Sequence, residues 1–485
     1  MAGLMMGALD NLVVSTVLPT LVKDLHATAN GQAFVVSAYL ITSTVGTPVF
    51  GKLSDSHSRR NFFLLGLVVF IAGSALSGLS QNLSELIAFR AIQGFGSGAF
   101  FPVGLSIIAV LFPPEMRARL TGAFSSVFGI AIVLGPFVGS YIVDHTTWRW
   151  IFYVNLPIGV LGIVLLLFAL GPLYPQVTSR FDGLGAGLLS GWVATLMLAL
   201  IENAQNGLAW TDPLIVGLLA ATAVLFVGFI FWETRTDNPL IPLALFRKRV
   251  IAASSAVSFF RGSFLFAIST FVSIYVGFVL WGNSDVVRDV LYGFVGPMVI
   301  GSIFGGQLLV RLSYRVLVTT GMTLMTIGAF LLLFLKASTP AWVFSYGFLP
   351  TGGILLDLIP LGVGVGLTFA STALSAQYAV PARELGQATS LIQFMASLGG
   401  AIVVSVLTSF QASRLASLTA VPSNLVYGAC KVFGATSVAC APAVTSWVDT
   451  FTVAFPLALA ALIASFFMTG RLPRSRPAGT PPATG

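Results

Sequence analysis

The sequence predicts an all-α integral membrane protein, and three observations carry that prediction. Charged residues make up only 8% of the 485-residue chain, against roughly a quarter in a soluble domain. Hydrophobic residues reach 56%, and the mean hydropathy is +0.95. The apolar residues also run in fourteen continuous stretches, each near the roughly 20 residues that cross a hydrocarbon core about 30 Å thick. So few charges could not cover a soluble fold, and disorder needs the opposite composition. Barrel strands alternate with a period of two, which these stretches do not.

The first span, 3–22, contains Asp10 and lacks the basic start and small-residue cleavage site of a secretory leader, so it reads as a permanent helix. The second, 32–50, runs into the short loop 51–60. The third is 61–80. The fourth, 85–111, carries Arg90. The fifth, 120–143, is rich in glycine and holds Pro136. The sixth, 149–170, opens on Trp150. The stretch 171–182, with Pro172, Pro175 and Arg180, closes this first group of six. Spans seven and eight, 183–201 and 213–232, carry few polar groups. The stretch 233–249 then brings Pro239, Pro242 and the basic run Arg247, Lys248, Arg249. Spans nine to fourteen follow at 250–279, 290–310, 316–335, 349–376, 387–410 and 449–469. The organisation is a six-helix bundle over 1–170, two extra helices and an interfacial segment over 171–249, a second six-helix bundle over 250–469, and a cytoplasmic tail over 470–485. Residues 238–246 are apolar but too short to span. They read either as an interfacial piece on anionic lipid or as a plain linker.

Loop charges orient the chain. With an even number of spans, both termini share one side. That side holds 16 of the 24 lysines and arginines and the other side 6, with Arg90 and Arg261 inside helices. The excess of positive charge predicts cytoplasmic termini in the cell (plasma or inner) membrane. The same bias accounts for the net charge of +8, so no nucleic-acid partner is implied. Cys430 and Cys440 fall in an outer loop, where disulfides persist. They read either as a loop staple or as two free thiols.

The two groups of six carry a trace of repetition. The second span is followed by Gly51, Lys52, Leu53, Ser54, Asp55, Ser56, His57, Ser58, Arg59 and Arg60. The tenth is followed by a run from Gly306 through Gln307 to Arg315, again ten residues from Gly to Arg. Val310 stands where Asp55 stands in the first copy. Parallel repeats of this kind place the substrate near the midplane, between the halves.

Ionisable groups inside the bilayer are costly and mark function by default. Asp10 lies about 15 Å along the first span, at 1.5 Å per residue. Burial disfavours a charged carboxylate and a nearby guanidinium favours it. A proton carrier needs that competition. Arg90 keeps its proton, so its expected task is to tune such an acid; the alternative is a permanent pair that locks two helices. Asp357 and Arg261 belong to the other half and are candidates for a matching pair. In the loop 51–60, Gly51, Asp55, Arg59 and Arg60 form a candidate cytoplasmic gate. The alternative is basic anchoring with Asp55 as a helix cap. In the fifth span, Gly122, Gly135, Pro136 and Gly139 suit a pivot or seal between helices. Asn11, Tyr39, Gln93, Asn155, Gln307 and Gln393 are candidates for a substrate cavity, although each residue type more often bonds helix to helix.

Enzyme signatures are missing. The run from Gly46 to Leu53 approaches a phosphate loop, but Leu53 replaces the needed hydroxyl and the run ends a membrane helix. No metal site or cofactor is expected, and the proton gradient is the expected energy source.

Taken together, these residues resemble the major facilitator superfamily, specifically its fourteen-helix drug/proton antiporter branch. Leu9, Asp10, Val13, Val14, Leu18 and Pro19 resemble that branch's first-helix motif. Gly51, Asp55, Arg59 and Arg60 match the superfamily's loop motif, with Ser56 and Ser58 in place of the usual Arg and Gly. Arg90, Ala91, Ile92, Gln93 and Gly94 match the fourth-helix motif, whose arginine assists proton coupling. Gly135, Pro136 and Gly139 match the fifth-helix motif of exporters, with Ala131 and Ser140 where glycine is usual. Trp148 to Phe152, with Asn155, Leu156 and Pro157, resemble the branch's sixth-helix opening. The resemblance implies a non-enzymatic major facilitator fold that exports apolar or cationic small molecules in exchange for protons, and the chain is expected to be a monomer. Many relatives of that branch carry an acid in the thirteenth helix, where this chain has Gln393. The alternatives are a dedicated carrier for one metabolite, exporter or importer, and a non-transporting sensor on the same fold.

Overall fold

The computed structural model describes residues 2–25, 29–169, 171, 181–276, 284–334, 352–419, 421, 425–427, 430 and 437–470. In chain order the helices are α1 (Ala2–Asp24), α2 (Ala29–Ser56), α3 (Arg59–Leu79), α4 (Leu83–Ser97), α5 (Phe100–Leu111), α6 (Pro114–His145), α7 (Trp150–Tyr153) and α8 (Asn155–Ala169). They continue as α9 (Gly183–Asn206), α10 (Pro213–Glu233), α11 (Arg249–Ile274), α12 (Ser284–Leu308), α13 (Tyr314–Leu331), α14 (Gly352–Tyr378), α15 (Leu385–Leu418) and α16 (Ala441–Phe466). Among the described residues, twelve helical stretches are long and apolar enough to cross a membrane. The two other predicted spans, 3–22 and 120–143, fall on α1 and α6, which are 23 and 32 residues long.

Helix ends follow local chemistry. Asn82 and Glu85 form a reciprocal cap on α4: the Glu85 N–H donates to Asn82 Oδ1 at 2.9 Å, and Asn82 Nδ2 donates to Glu85 Oε1 at 2.8 Å. Ser58 caps α3 and Ser313 caps α13, which places the same device after the second helix of each half. Asp212 caps α10 with Pro213 at its first position. Gly207, at φ 70°, ends α9 in the left-handed conformation.

Two predicted spans are each built from two helices. The fourth is α4 and α5, interrupted near Gly98, where Gly94, Gly96 and Gly98 let α4 touch the backbones of α2 and α3. Side chains there would collide, and the glycines weaken the helix they permit. The sixth is α7 and α8, divided at Val154 just before Asn155 and Pro157.

The repeat seen in the sequence has a structural counterpart. Gly51 of α2 lies against Gly386 and Ser390 of α15, and Gly306 of α12 lies against Ala118 and Gly122 of α6. Each half's second helix therefore meets the other half's fifth through glycine.

The extra helices α9 and α10 pack beside this junction. Leu189, Trp192 and Val193 of α9 are buried with Val45 and Val49 of α2 and with Leu391 and Phe394 of α15. The segment after α10 departs from the lipid-surface expectation. Leu240, Ile241 and Leu245 are buried in that same cluster. Both oxygens of Glu233 accept the backbone N–H groups of Leu240 and Ile241. The apolar run is short because it fills a protein crevice.

Candidate functional site

Asp10 is the centre of a buried polar cluster built from four helices. Its Oδ2 accepts from Arg90 Nη1. Its Oδ1 accepts from Gln93 Nε2 at 2.8 Å and from Asn155 Nδ2 at 2.9 Å. Arg90 Nη1 also donates to Gln93 Oε1 at 2.8 Å. The side chains of Asp10 and Arg90 are both 0% exposed. Arg90 and Gln93 are three residues apart on α4, which puts them on one helix face. Asn155 is fixed from behind, since its Nδ2 also donates to Ser74 Oγ at 3.0 Å, and Ser74 donates to the Phe152 carbonyl at 2.8 Å. Aromatic faces cover the guanidinium, with Tyr39 centred 4.2 Å and Phe152 5.8 Å from its carbon. The carboxylate thus accepts three donors in a buried, low-dielectric site, while Arg90 Nε and Nη2 are buried with no hydrogen-bond partner among the described residues.

A cavity of about 160 Å³ lies beside this cluster, between the two halves. Tyr39 belongs to both: its ring underlies Arg90 and its edge lines the cavity, while its hydroxyl donates to the Gly7 carbonyl at 3.0 Å. Phe100 and Phe101 of α5, Phe266 of α11 and Phe369 of α14 supply apolar wall. Arg261 of α11 and Gln393 of α15 supply polar wall. No carboxylate lines the cavity among the described residues.

The other candidates separate. Gln93 and Asn155 bind Asp10 and do not line the cavity. Gln307 is exposed on the last turn of α12, away from the cavity. The side chains of Asn11 and Pro136 lie outside the described residues. Arg261 and Asp357 form no ion pair among the described residues. Asp357 sits near the start of α14, half-buried against Gly328 of α13, whereas the Arg261 guanidinium lies 4.0 Å from the centre of the Phe369 ring. Within α6, Gly122 makes the contact with the opposite half, 2.6 Å from an ideal Cβ to the Ser302 carbonyl. Gly135 and Gly139 are buried further along, where the neighbouring Val138, Ile142 and Val143 pack with α1 of the same half.

At the Asp55 end of the bundle, a second charged device joins the two halves. Asp55 Oδ1 accepts from Arg59 Nη2 and from the Gly386 N–H, each at 2.9 Å, and Oδ2 accepts from the Gln387 N–H at 2.8 Å. The carboxylate therefore caps the start of α15, the positive end of a helix in the opposite half. Arg59 Nη2 also donates to the Ala382 carbonyl at 2.7 Å. Arg60 is not part of this contact; it donates to the Leu167 carbonyl at the end of α8. Gln387 reaches on to the carbonyls of Pro239 and Leu240, which ties the clasp to the segment that Glu233 holds. At the other end, Cys430 and Cys440 form a disulfide.

Several contributors escape sequence reasoning. Ser74 is one of many serines, and no spacing marks it as the support of Asn155. Gly386 and Gln387 act through backbone N–H groups, which leave no residue signature. Phe100, Phe101, Phe266 and Phe369 are four of 40 phenylalanines, and only tertiary contact selects them.

Comparison with known proteins agrees with this architecture. Residues 1–404 match the Major Facilitator Superfamily. The chain is 32% identical over 411 residues to the Multidrug transporter protein MdtP of Bacillus subtilis, covering 85% of this chain and 74% of that protein. It is 33% identical over 411 residues to Multidrug resistance protein 3 of the same organism, covering 84% and 78%. Its fold is similar to the crystal structure of the human organic anion transporter MFSD10 (TETRAN), with a TM-score of 0.59 across 94% of this chain and 97% of that one. At 16% identity, that likeness carries the fold alone. An all-helical chain with a cavity between two matching halves, and a family match running from its first residue into α15, belongs to the major facilitator superfamily of membrane transporters.

Proposed function

We propose that this chain is a proton-coupled antiporter that exports small, largely apolar compounds by alternating access. The observation that carries the reading is the position of the buried Asp10–Arg90 pair directly behind Tyr39, which also lines the cavity. Occupation of the cavity displaces Tyr39, and Tyr39 covers the cation that stabilises ionised Asp10. Substrate and proton then compete through one side chain. The phenylalanine walls suit apolar substrates, and the names of the B. subtilis relatives support efflux of multiple drugs. Fourteen crossings with both termini in the cytoplasm follow from the basic-residue bias. On that orientation, the Asp55–α15 clasp shuts the cytoplasmic mouth, and it must open once per cycle for loading. In this reading the clasp and the Asp10 pair alternate: one side opens as the other re-forms.

The experiment is a panel of toxic compounds tested on cells that lack their own efflux pumps, expressing the wild-type chain or Asp10→Asn at equal membrane levels. Raised tolerance to at least one apolar compound, lost in Asp10→Asn, is the expected result. Tolerance equal in the two strains contradicts a role for Asp10 in export.

A further inference from the structure

Arg261 is the side chain that the mechanism above leaves unused. It sits halfway along α11 and is 2% exposed, yet it lines the cavity. Its guanidinium lies 4.0 Å from the centre of the Phe369 ring. Its Nε and Nη1 are buried and have no hydrogen-bond partner among the described residues. The other fully buried arginine, Arg90, also keeps Nε and Nη2 without a partner, but its charge is neutralised by Asp10. Asp357 is the acid expected to do the same for Arg261, and it lies elsewhere on α14. An arginine does not discharge itself by losing a proton, and an unpaired cation in a low-dielectric interior is costly. Gln393 faces the same space with its Oε1 also unpartnered.

We infer that the cavity takes an apolar, ring-containing compound bearing one anionic group, with that group on the Arg261 guanidinium and the ring among the phenylalanines. The inference rests on reading the cavity as the transport site, and it specifies the substrate class for that site. An anion completes Arg261, whereas a cation would meet like charge in a cavity with no carboxylate among its described lining residues. Arginine suits this role because its planar fork offers paired donors to a carboxylate or sulfonate while its face stacks on an aromatic ring. The Gln393 amide adds a second polar contact for a hydroxyl or amide on the ligand. Asp10 stays free for the proton, because the substrate charge is held by a different residue in the opposite half.

The test uses three naphthalene probes of one skeleton: naphthalene-2-sulfonate, neutral 2-methoxynaphthalene and 2-naphthyltrimethylammonium. Binding to the purified full chain in nanodiscs of zwitterionic lipid is read by probe fluorescence, with empty nanodiscs as the baseline. The wild type is expected to bind the sulfonate at least ten-fold more tightly than the ammonium. Arg261→Gln is expected to reduce the sulfonate-to-methoxy affinity ratio at least ten-fold, and Arg261→Lys to restore much of it. Using a ratio guards against a variant that merely folds less well. A wild type that binds the ammonium as tightly as the sulfonate overturns the inference, as does an unchanged ratio in Arg261→Gln. Sulfonate preference without transport under a pH gradient upholds this inference and contradicts proton-coupled export. Gradient-driven export of the ammonium alone does the reverse.

Discussion

Around Asp10, each neighbour has a distinct physical task. Arg90 supplies the countercharge, Gln93 and Asn155 supply neutral donors, and Ser74 holds Asn155 in place. Breaking a buried ion pair from one side leaves the other charge stranded, at a cost of about 3–5 kcal/mol. Asp10→Asn and Arg90→Gln should therefore each lower the melting temperature of the purified protein. The double variant Asp10→Asn/Arg90→Gln should recover most of that loss while remaining unable to couple protons. Double-variant stability no better than the worse single one would show that the two charges do not act as a pair. Much of this cluster was legible in the sequence. Asp10 and Arg90 are charges at membrane depth, and Gln93 lies one helical turn from Arg90. What could not be read was which polar groups share an acid and which face the cavity: Asn155 and Gln93 turned to Asp10, and Gln307 to the exposed face of α12. Arg261 and Asp357 looked like a second pair for the same reason as the first, but pairing depends on distance across the bundle, and spacing along the chain does not encode it.

Individual elements are joined by close backbone contacts and by caps that cross between halves. Asp55 serves α15 as an N-cap although it belongs to α2, 331 residues earlier in the chain than Gly386. Asp55→Asn keeps the shape but removes the charge that favours a helix N-terminus and an arginine together. Losing charge-assisted bonds of this kind costs about 1–3 kcal/mol. Hydrogen exchange should then rise roughly ten-fold or more at residues 385–388, with a fall in transport. Unchanged exchange there would show that the clasp contributes nothing to closure. At the opposite end, the Cys430–Cys440 bridge closes a sequence separation of 10. On a chain-entropy estimate a loop of that size is stabilised by about 2–3 kcal/mol. Reduction, or Cys430→Ser with Cys440→Ser, should raise protease sensitivity of the 419–440 region and leave the Asp10 cluster intact. Equal digestion before and after reduction would contradict a stapling role. Most helix positions were readable, because a hydrophobic run of spanning length has few alternatives, but the breaks near Gly98 and Val154 leave no mark in hydropathy. The 238–246 segment was ambiguous, since an apolar stretch beside basic residues looks the same whether it lies on lipid or fills a crevice beside α9 and α15.

At the scale of the molecule, the two halves meet through matching glycine contacts, and among the described residues it is the first half that supplies the capping acid. Val310 occupies the corresponding place in the second half, and its apolar side chain cannot cap a helix as Asp55 does. The central claim is that proton entry at Asp10 and substrate release from the cavity are one exchange. Its most direct test is efflux of a compound identified by the tolerance panel, in proteoliposomes with an imposed pH gradient, comparing wild type with the stability-matched Asp10→Asn/Arg90→Gln variant. The account predicts that substrate flux in the wild type runs against proton flux, stops when an ionophore collapses the gradient, and is absent from the variant. Substrate flux of equal size with and without the gradient, or retained in the variant, would contradict it.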